Sequence, residues 1–488
     1  MEERKGFGTN FGFLMAAVGS AVGLGNIWGF PNKMGASGGF TFLVIYLVLA
    51  VLCGFIVMVG ELALGRKTHH GAVGAYKALS KKFKWMGWLG ILSAFFILFF
   101  YCALGGYCIK YTVLNIGDLF HASFGANALA ETAVANGHSL GAEVFGAFMA
   151  SPTEAIIFGL IFVALTMLIV MGGVSGGIEK VCSVGMPALF VMLLICIIRA
   201  CTLEGAVDGL KYMFVPGWAV TNGVIDKAPN FFGVLSAAGG QMFFSLSLGM
   251  GIMITYGSYL DKKENLQKNA LLIIIMDTLV ALMAGLCVIP GRFALDPTGS
   301  LGGPKLLFVT MQNVFSRMGP IGPIFGILFY LLVVFAAVSS SISLLEVIVA
   351  HFVDKARNEG KGDMRKKYTL IAAACVGVGC ILVCADRLGD ASFTPWKLLN
   401  LPAESIRTWN DCWLDFWDML SEGIMMPLGA LLMSLMFGWE VGPDVVKEEC
   451  EASGHAMGGY GFFKVCIKYI TPLIMILVLY GQIKEYFF

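Results

Sequence analysis

Glycine interrupts two long apolar stretches of this sequence at matching places, as Gly19-Ser-Ala-Val-Gly23-Leu-Gly25-Asn26 in the first stretch and Ser245-Leu-Ser-Leu-Gly249-Met-Gly251 in the sixth. Inside a bilayer each backbone N–H and C=O needs a partner, so unwound backbone survives only where it lines a cavity or binds something. Interrupted segments in equivalent positions of two halves of a chain point to the midplane binding site of a secondary transporter.

The bilayer itself follows from composition. Of 488 residues 58% are hydrophobic and only 13% charged, with a mean hydropathy of +0.80, which excludes an ordinary soluble domain. A net charge of +1 gives no reason to expect a nucleic-acid partner. The 13 cysteines fall mostly inside apolar runs, where they act as small hydrophobes and imply no disulfide framework. The stretch from Gly117 to Ser151 lacks cysteine, and no Asn-x-Ser/Thr acceptor occurs anywhere, so a bacterial inner membrane is the favoured address.

Apolar runs long enough to span lie near 11–34, 39–65, 87–116, 153–171, 181–200, 231–258, 267–290, 322–353, 368–385, 413–438 and 463–485. Basic residues concentrate on one side, at Arg4 and Lys5, around Arg66 to Lys84, and from Lys355 to Lys367. Positively charged short loops stay in the cytoplasm, which puts the N-terminus inside and, with an odd number of spans, Phe488 outside. The first run is not a cleaved signal peptide, because it continues through its glycine break. The linkers 201–230, 291–321 and 386–412 read as outer loops. An enzyme is disfavoured: the histidines have no metal-ligand spacing, and no nucleophile stands beside a base.

Five stretches together resemble the neurotransmitter:sodium symporter family: Gly19 to Trp28 followed by Phe30-Pro31, Gly60-Glu-Leu-Ala-Leu-Gly-Arg66, Gly177-Ile-Glu-Lys180, Gln241 to Gly249, and Ser339-Ser-Ser-Ile-Ser-Leu-Leu-Glu346. The resemblance runs from Arg4 to Pro472. It implies an all-α integral membrane protein with a five-plus-five inverted repeat: a single transporter domain, 1–488, with a first repeat over about 11–200, a second over about 231–438 and an extra helix at about 463–485. Eleven helices match the shorter bacterial, LeuT-like members. The implied activity is sodium-coupled amino-acid symport by alternating access. Implied partners are the lipid bilayer and a neutral amino acid; a homodimer is left open.

The first break suits a carboxylate, because its second half offers free N–H groups and the positive end of a helix dipole. Ala21, Gly23, Leu24 and Gly25 would make those contacts, and by resemblance Tyr101 would add its hydroxyl. Family members that carry amines without a carboxylate have an aspartate at the position of Gly23, so this chain's substrate should bring its own. The plainer reading of these glycines is close helix packing. Around the substrate's side chain the resemblance places Ile97, Phe244, Ser247, Met250, Ser340 and Leu344, with Ser245 also at the substrate site. None carries a charge, which favours a neutral, apolar side chain, branched or aromatic. Met250, set between two glycines, can repack for larger groups.

Sodium takes hard oxygen ligands. One implied site combines the Ala21 carbonyl, Asn26, Ser245 and Asp277, with the substrate carboxylate as a further ligand. A second combines the carbonyls of Gly19, Val22 and Ala336 with the hydroxyls of Ser339 and Ser340, although such serines also bond back to their own helix. Asp277 is an intramembrane carboxylate, costly unless coordinated or paired. Chloride-dependent members resemble this region, Tyr46, Gln241 and Ser245 included, but are neutral at position 277, so chloride independence is expected, with Asp277 available as a proton acceptor on the return step. Glu61 and Glu346 read as structural hydrogen-bonding groups.

The inner gate implied by the resemblance pairs Arg4 with Asp354, beside Phe7, Ser258 and Tyr259; the family usually has tryptophan where Phe7 stands. On the outside Tyr101 and Phe244 cap the substrate and Asp415 supplies an acidic partner. Its usual arginine is missing, because that position is Gly29. Lys33, one turn later, is the candidate replacement, though an ammonium forms no bidentate fork. Two alternatives stand beside amino-acid import: a transporter of another small zwitterion, such as a small betaine or imino acid, and, motivated by Gly29, a homologue that senses without transporting.

Overall fold

The computed structural model describes residues 6–298, 303–399 and 411–487. Among these residues nine helical stretches are long and apolar enough to cross a membrane: Phe40–Thr68, Met86–Leu119, Pro152–Met171, Val174–Cys201, Leu266–Leu295, Gly319–Asn358, Arg365–Gly389, Trp413–Glu440 and Tyr460–Phe487. The first expected span is a bent pair, Asn10–Ala21 and Gly25–Ala36, turning by 44° at its break. The sixth is also two pieces, Phe231–Ser245 and Ile252–Gly257, each too short to cross alone. Nine continuous and two broken segments therefore stand where eleven spans were expected.

Local chemistry sets the ends. Thr9 starts the first segment by accepting the Gly12 N–H at 2.9 Å, and Asn265 does the same for the seventh through Lys268 N–H at 2.9 Å; both satisfy donors that a helix start leaves unpaired. The second break winds through Gly249 and Gly251 at φ +78° and +77°, left-handed conformations that glycine adopts without a Cβ clash. Ser247 takes φ +55° in the same turn without that freedom.

The third and eighth segments pack side by side, with the fourth and ninth covering them on one flank. The first segment lies against the fifth, seventh and eighth, and the first piece of the sixth against the second and the eleventh. Small residues permit these crossings: a Cβ on Gly106 would meet the Gly159 backbone nitrogen at 2.5 Å, and one on Gly257 would meet the Leu62 carbonyl oxygen at 2.5 Å.

Two of the linkers that read as outer loops contain helices, as does the stretch from Gly117 to Ser151. Residues 201–230 hold Ala206–Phe214, 291–321 hold Met311–Arg317, and the stretch after Gly117 holds Leu140–Ala150. These helices are short and their polar faces mask them in composition, but each buries a side, as with Tyr212, Met213 and Phe148. Residues 400–410 of the linker 386–412 lie outside the described residues.

Candidate substrate and ion site

Where the first segment breaks, Val22 leaves the helix at ψ 97° and the chain re-enters at Gly25. Asn26 stabilises the turn from within, its Oδ1 accepting the Gly23 N–H at 3.0 Å. The Leu24 N–H donates to the Tyr101 hydroxyl oxygen at 2.9 Å. Backbone N–H groups of the break and the tyrosine thus meet at one point, on the edge of a narrow, nearly closed cleft lined by Ser20, Ala21, Gly23, Gly25, Ile97, Tyr101, Phe244, Ser247, Met250, Ser340 and Leu344.

That lining contains ten of the twelve residues expected around the substrate. Leu24 and Ser245 are absent from it: Leu24 is buried and reaches the site through its backbone, and Ser245 turns toward Asp277. Ser20 is the addition. Its carbonyl accepts from both Ser247 Oγ and Ser340 Oγ at 2.9 Å, binding the two broken segments and the eighth helix together. The motif signalled Ser20 by position alone, and only the three-dimensional meeting of the segments reveals its role.

The cleft explains its own glycines. A Cβ on Gly23 would fall far inside van der Waals contact with Ser340 Oγ and Tyr101 Oη, and one on Gly25 would meet the Phe244 ring at 2.8 Å. Tyr101 and Phe244 face each other across the cleft, ring centroids 6.4 Å apart. No side chain lining the cleft carries a formal charge.

Next to the cleft lies a fully buried polar cluster. Asn26 Nδ2 donates to Asp277 Oδ1 at 2.7 Å and to Ser245 Oγ at 3.0 Å. Ser245 Oγ reaches Asp277 Oδ1 and Oδ2 at 3.1 and 2.9 Å, and the Tyr46 hydroxyl donates to Oδ2 at 3.3 Å. Asp277 has no exposed surface, and three polar side chains from three segments hold its carboxyl group in this apolar interior. A second oxygen cluster sits beside the first half of the first segment. Ser339 Oγ bonds the carbonyls of Val22 at 3.4 Å and Ala336 at 3.0 Å, and Ser340 Oγ those of Gly19 at 3.3 Å and Ser20 at 2.9 Å. The second cluster is built of hard oxygen atoms of the kind sodium takes; in the first, Ser245 and Asp277 offer such oxygens, while Asn26 turns its nitrogen to them and its Oδ1 to the Gly23 N–H. The serine run divides its roles, because Ser341 bonds the Val338 carbonyl of its own helix and pairs with Thr166 at 2.8 Å.

Two faces flank the cleft. On one, Phe7 packs edge-on against Phe13, Tyr256 and Tyr259, with centroids 5.5, 5.4 and 6.1 Å apart. Tyr259 donates to Glu346 Oε1 at 2.7 Å, and Arg365 forks onto both oxygens of Glu346 at 2.6 and 3.0 Å. Asp354 Oδ2 accepts the Gly71 N–H at 3.3 Å, Ser258 Oγ donates to the Thr255 carbonyl at 2.5 Å, and Arg4 lies outside the described residues. Glu61 also makes a structural bond, accepting the Gly249 N–H at 2.7 Å.

On the opposite face the expected pairing of Lys33 with Asp415 gives way to another. The Lys33 ammonium contacts Glu422 of the tenth segment, a carboxylate two helical turns beyond Asp415. Asp415 lines a wide vestibule with Lys305, Arg387 and Asp390. A Cβ on Gly29 would meet Gln241 Oε1 at 2.8 Å, so a side chain at position 29 requires Gln241 to shift. Gln241 is fixed there by donating to the Gly25 carbonyl at 2.6 Å. Glu422 carried a sequence signal that was overlooked, a carboxylate inside an apolar span.

Comparison with known proteins agrees with this architecture. The chain is 32% identical over 486 residues to an uncharacterised sodium-dependent transporter, YhdH, of Bacillus subtilis, covering 96% of each. It is 29% identical over 491 residues to an uncharacterised sodium-dependent transporter of Haemophilus influenzae, covering 98% of each. The crystal structure of MhsT in complex with L-phenylalanine superimposes with a TM-score of 0.81 at 32% identity, over 98% of this chain and 100% of that one. The Sodium:neurotransmitter symporter family matches residues 4–127 and 153–394. With both broken segments, the cleft between them and the oxygen clusters beside it, the chain belongs to that family of sodium-dependent membrane transporters.

Proposed function

We propose that the chain imports a neutral amino acid with an apolar, branched or aromatic side chain, driven by two sodium ions and independent of chloride. The observation that carries the substrate class is the cleft itself: backbone N–H groups and Tyr101 at the break, beside an uncharged lining of Ile97, Phe244, Met250 and Leu344. A carboxylate seated at the break faces N–H groups and a helix dipole, while a charged side chain against that lining would go unpaired. That MhsT was crystallised with L-phenylalanine supports the aromatic end of this range.

The ions act by neutralising what the cleft concentrates. A sodium ion among Ala21, Asn26, Ser245 and Asp277 would balance the Asp277 carboxylate and share the substrate's, which couples ion to substrate. A second, among Gly19, Val22, Ala336, Ser339 and Ser340, would tie the first segment to the eighth. Where Asp277 is ionised it would supply the negative charge, and no anion would be required to balance the ions. In this reading the Phe7 face is cytoplasmic and the Asp415 face external, and the repeats 11–200 and 231–438 move against each other.

Uptake into liposomes of a labelled neutral amino-acid panel, with and without an inward sodium gradient and with gluconate replacing chloride, tests the proposal. Sodium-driven accumulation of leucine or phenylalanine, equal in gluconate, is the expected result. Strict chloride dependence removes the assigned role of Asp277. Sodium-dependent binding without accumulation favours the sensor reading that Gly29 motivates.

A further inference from the structure

The pairing of Lys33 with Glu422 extends beyond two residues. Asp418, one turn before Glu422, and Glu485, near the end of the last helix, both lie close enough to attract the Lys33 ammonium. Lys33, carried by the first broken segment, thus contacts one carboxylate and feels the field of two more, from the tenth and the last helix. The last helix also holds the other broken segment: Gln482 Nε2 donates to the Ser236 carbonyl at 2.9 Å, and Gly240 is so close that a Cβ would meet Gln482 Nε2 at 2.9 Å and Glu422 Oε1 at 3.2 Å. An apolar patch joins the same parts, with Trp396 and Met419 buried and Phe416, Ile424 and Tyr486 packed on them.

We propose that Lys33, Glu422 and Glu485 form the outer latch of this transporter, with the last helix as a gating element that grips both broken segments at once. The proposal rests on the transport reading above. In the closed arrangement the first segment's outer half is held by charge to the tenth and eleventh helices, and the sixth segment's by Gln482. Outward release of substrate requires these helices to part, so the ion cluster sets the escape rate. Glu485 belongs to the helix that lies outside the two repeats and touches neither the cleft nor the oxygen clusters, so it acts by position rather than by binding. The latch stands in for the arginine that is missing at Gly29.

Two measurements test it. In hydrogen–deuterium exchange on the purified protein, Lys33→Gln should deprotect residues 419–425 and 471–487 together with 25–36; a change confined to 25–36 overturns the latch. In sodium-loaded protein carrying labelled L-phenylalanine, Lys33→Gln and Glu422→Gln should each release substrate at least about fivefold faster, since loss of one partner of a buried charge pair acts on dissociation. Glu485→Gln should give a smaller increase, and the exchanged pair Lys33→Glu with Glu422→Lys should slow release again. Wild-type release from Lys33→Gln and Glu422→Gln overturns the proposal. Failure of the wild-type protein to bind any panel amino acid overturns the transport reading instead, and the exchange measurement then decides the latch by itself.

Discussion

The side-chain amide of Asn26 donates to Asp277 at 2.7 Å, linking the break in the first segment to the middle of the seventh helix. Asn26 also holds the Gly23 N–H through its other atom, so one side chain connects the carboxylate cluster with the backbone of the cleft. Any change in charge at Asp277 is therefore felt at the backbone that lines the cleft.

Asp277→Asn removes the charge and leaves two amides facing each other with one acceptor fewer. Hydrogen bonds to a charged group contribute about 1.5–3 kcal/mol, so sodium-dependent substrate binding should weaken roughly ten- to a hundredfold. A sodium titration of amino-acid binding checks this. Unchanged sodium affinity would assign Asp277 a purely structural place.

Tyr101→Phe removes the oxygen that accepts the Leu24 N–H at 2.9 Å and keeps the ring against Phe244. A neutral hydrogen bond contributes about 1 kcal/mol net, and the loss of a donor to the substrate's carboxylate adds to it, so affinity should fall roughly ten- to thirtyfold. The protein's thermal stability should change little, which separates a binding defect from a folding one.

These two sites were legible in the sequence because local motifs specify them. Glycine at 23 and 25, Asn26 beside them, and a lone aspartate in an apolar helix each carry a physical demand that few arrangements meet. Lys33 shows where such reading stops. Its partner was sought at Asp415, in the position the missing arginine would have used, but the direction of a side chain at a bent helix end depends on which helices pack there. Glu422 and Glu485 come close only after the tenth and eleventh helices fold against the first. The helices inside the 201–230 and 291–321 linkers escaped notice for a related reason: a short amphipathic helix at a membrane face has no long apolar run to announce it.

Arg66→Met should be the most destabilising of these changes. Arg66 has no exposed surface; its Nε donates to Glu449 Oε1 and its Nη1 to the Glu264 carbonyl, both at 2.7 Å. It therefore clasps the linkers after the sixth and tenth segments to the second helix. Removing one partner of a buried pair costs about 3–5 kcal/mol, because the other charge is left without compensation. Thermal unfolding in detergent should show a large loss for Arg66→Met and a smaller one for Arg66→Met combined with Glu449→Leu. Equal losses would place the clasp in the backbone contacts alone.

Restoring the family's arginine, as Gly29→Arg, should impair this transporter. A Cβ at position 29 would stand 2.8 Å from Gln241 Oε1, and Gln241 cannot withdraw without giving up its 2.6 Å bond to the Gly25 carbonyl. That carbonyl belongs to the break on which the substrate's carboxylate is proposed to rest. Overpacking of a tight interior costs about 1–3 kcal/mol, so sodium-driven uptake should drop by roughly fivefold or more. Gly29→Arg combined with Gln241→Ala makes room for the side chain and should recover part of the loss, because the guanidinium can then turn toward the vestibule where Asp415 lies. Uptake by the single variant at or above the wild-type rate would mean that Gln241 yields easily, and that the glycine reflects the Lys33 latch rather than a lack of space.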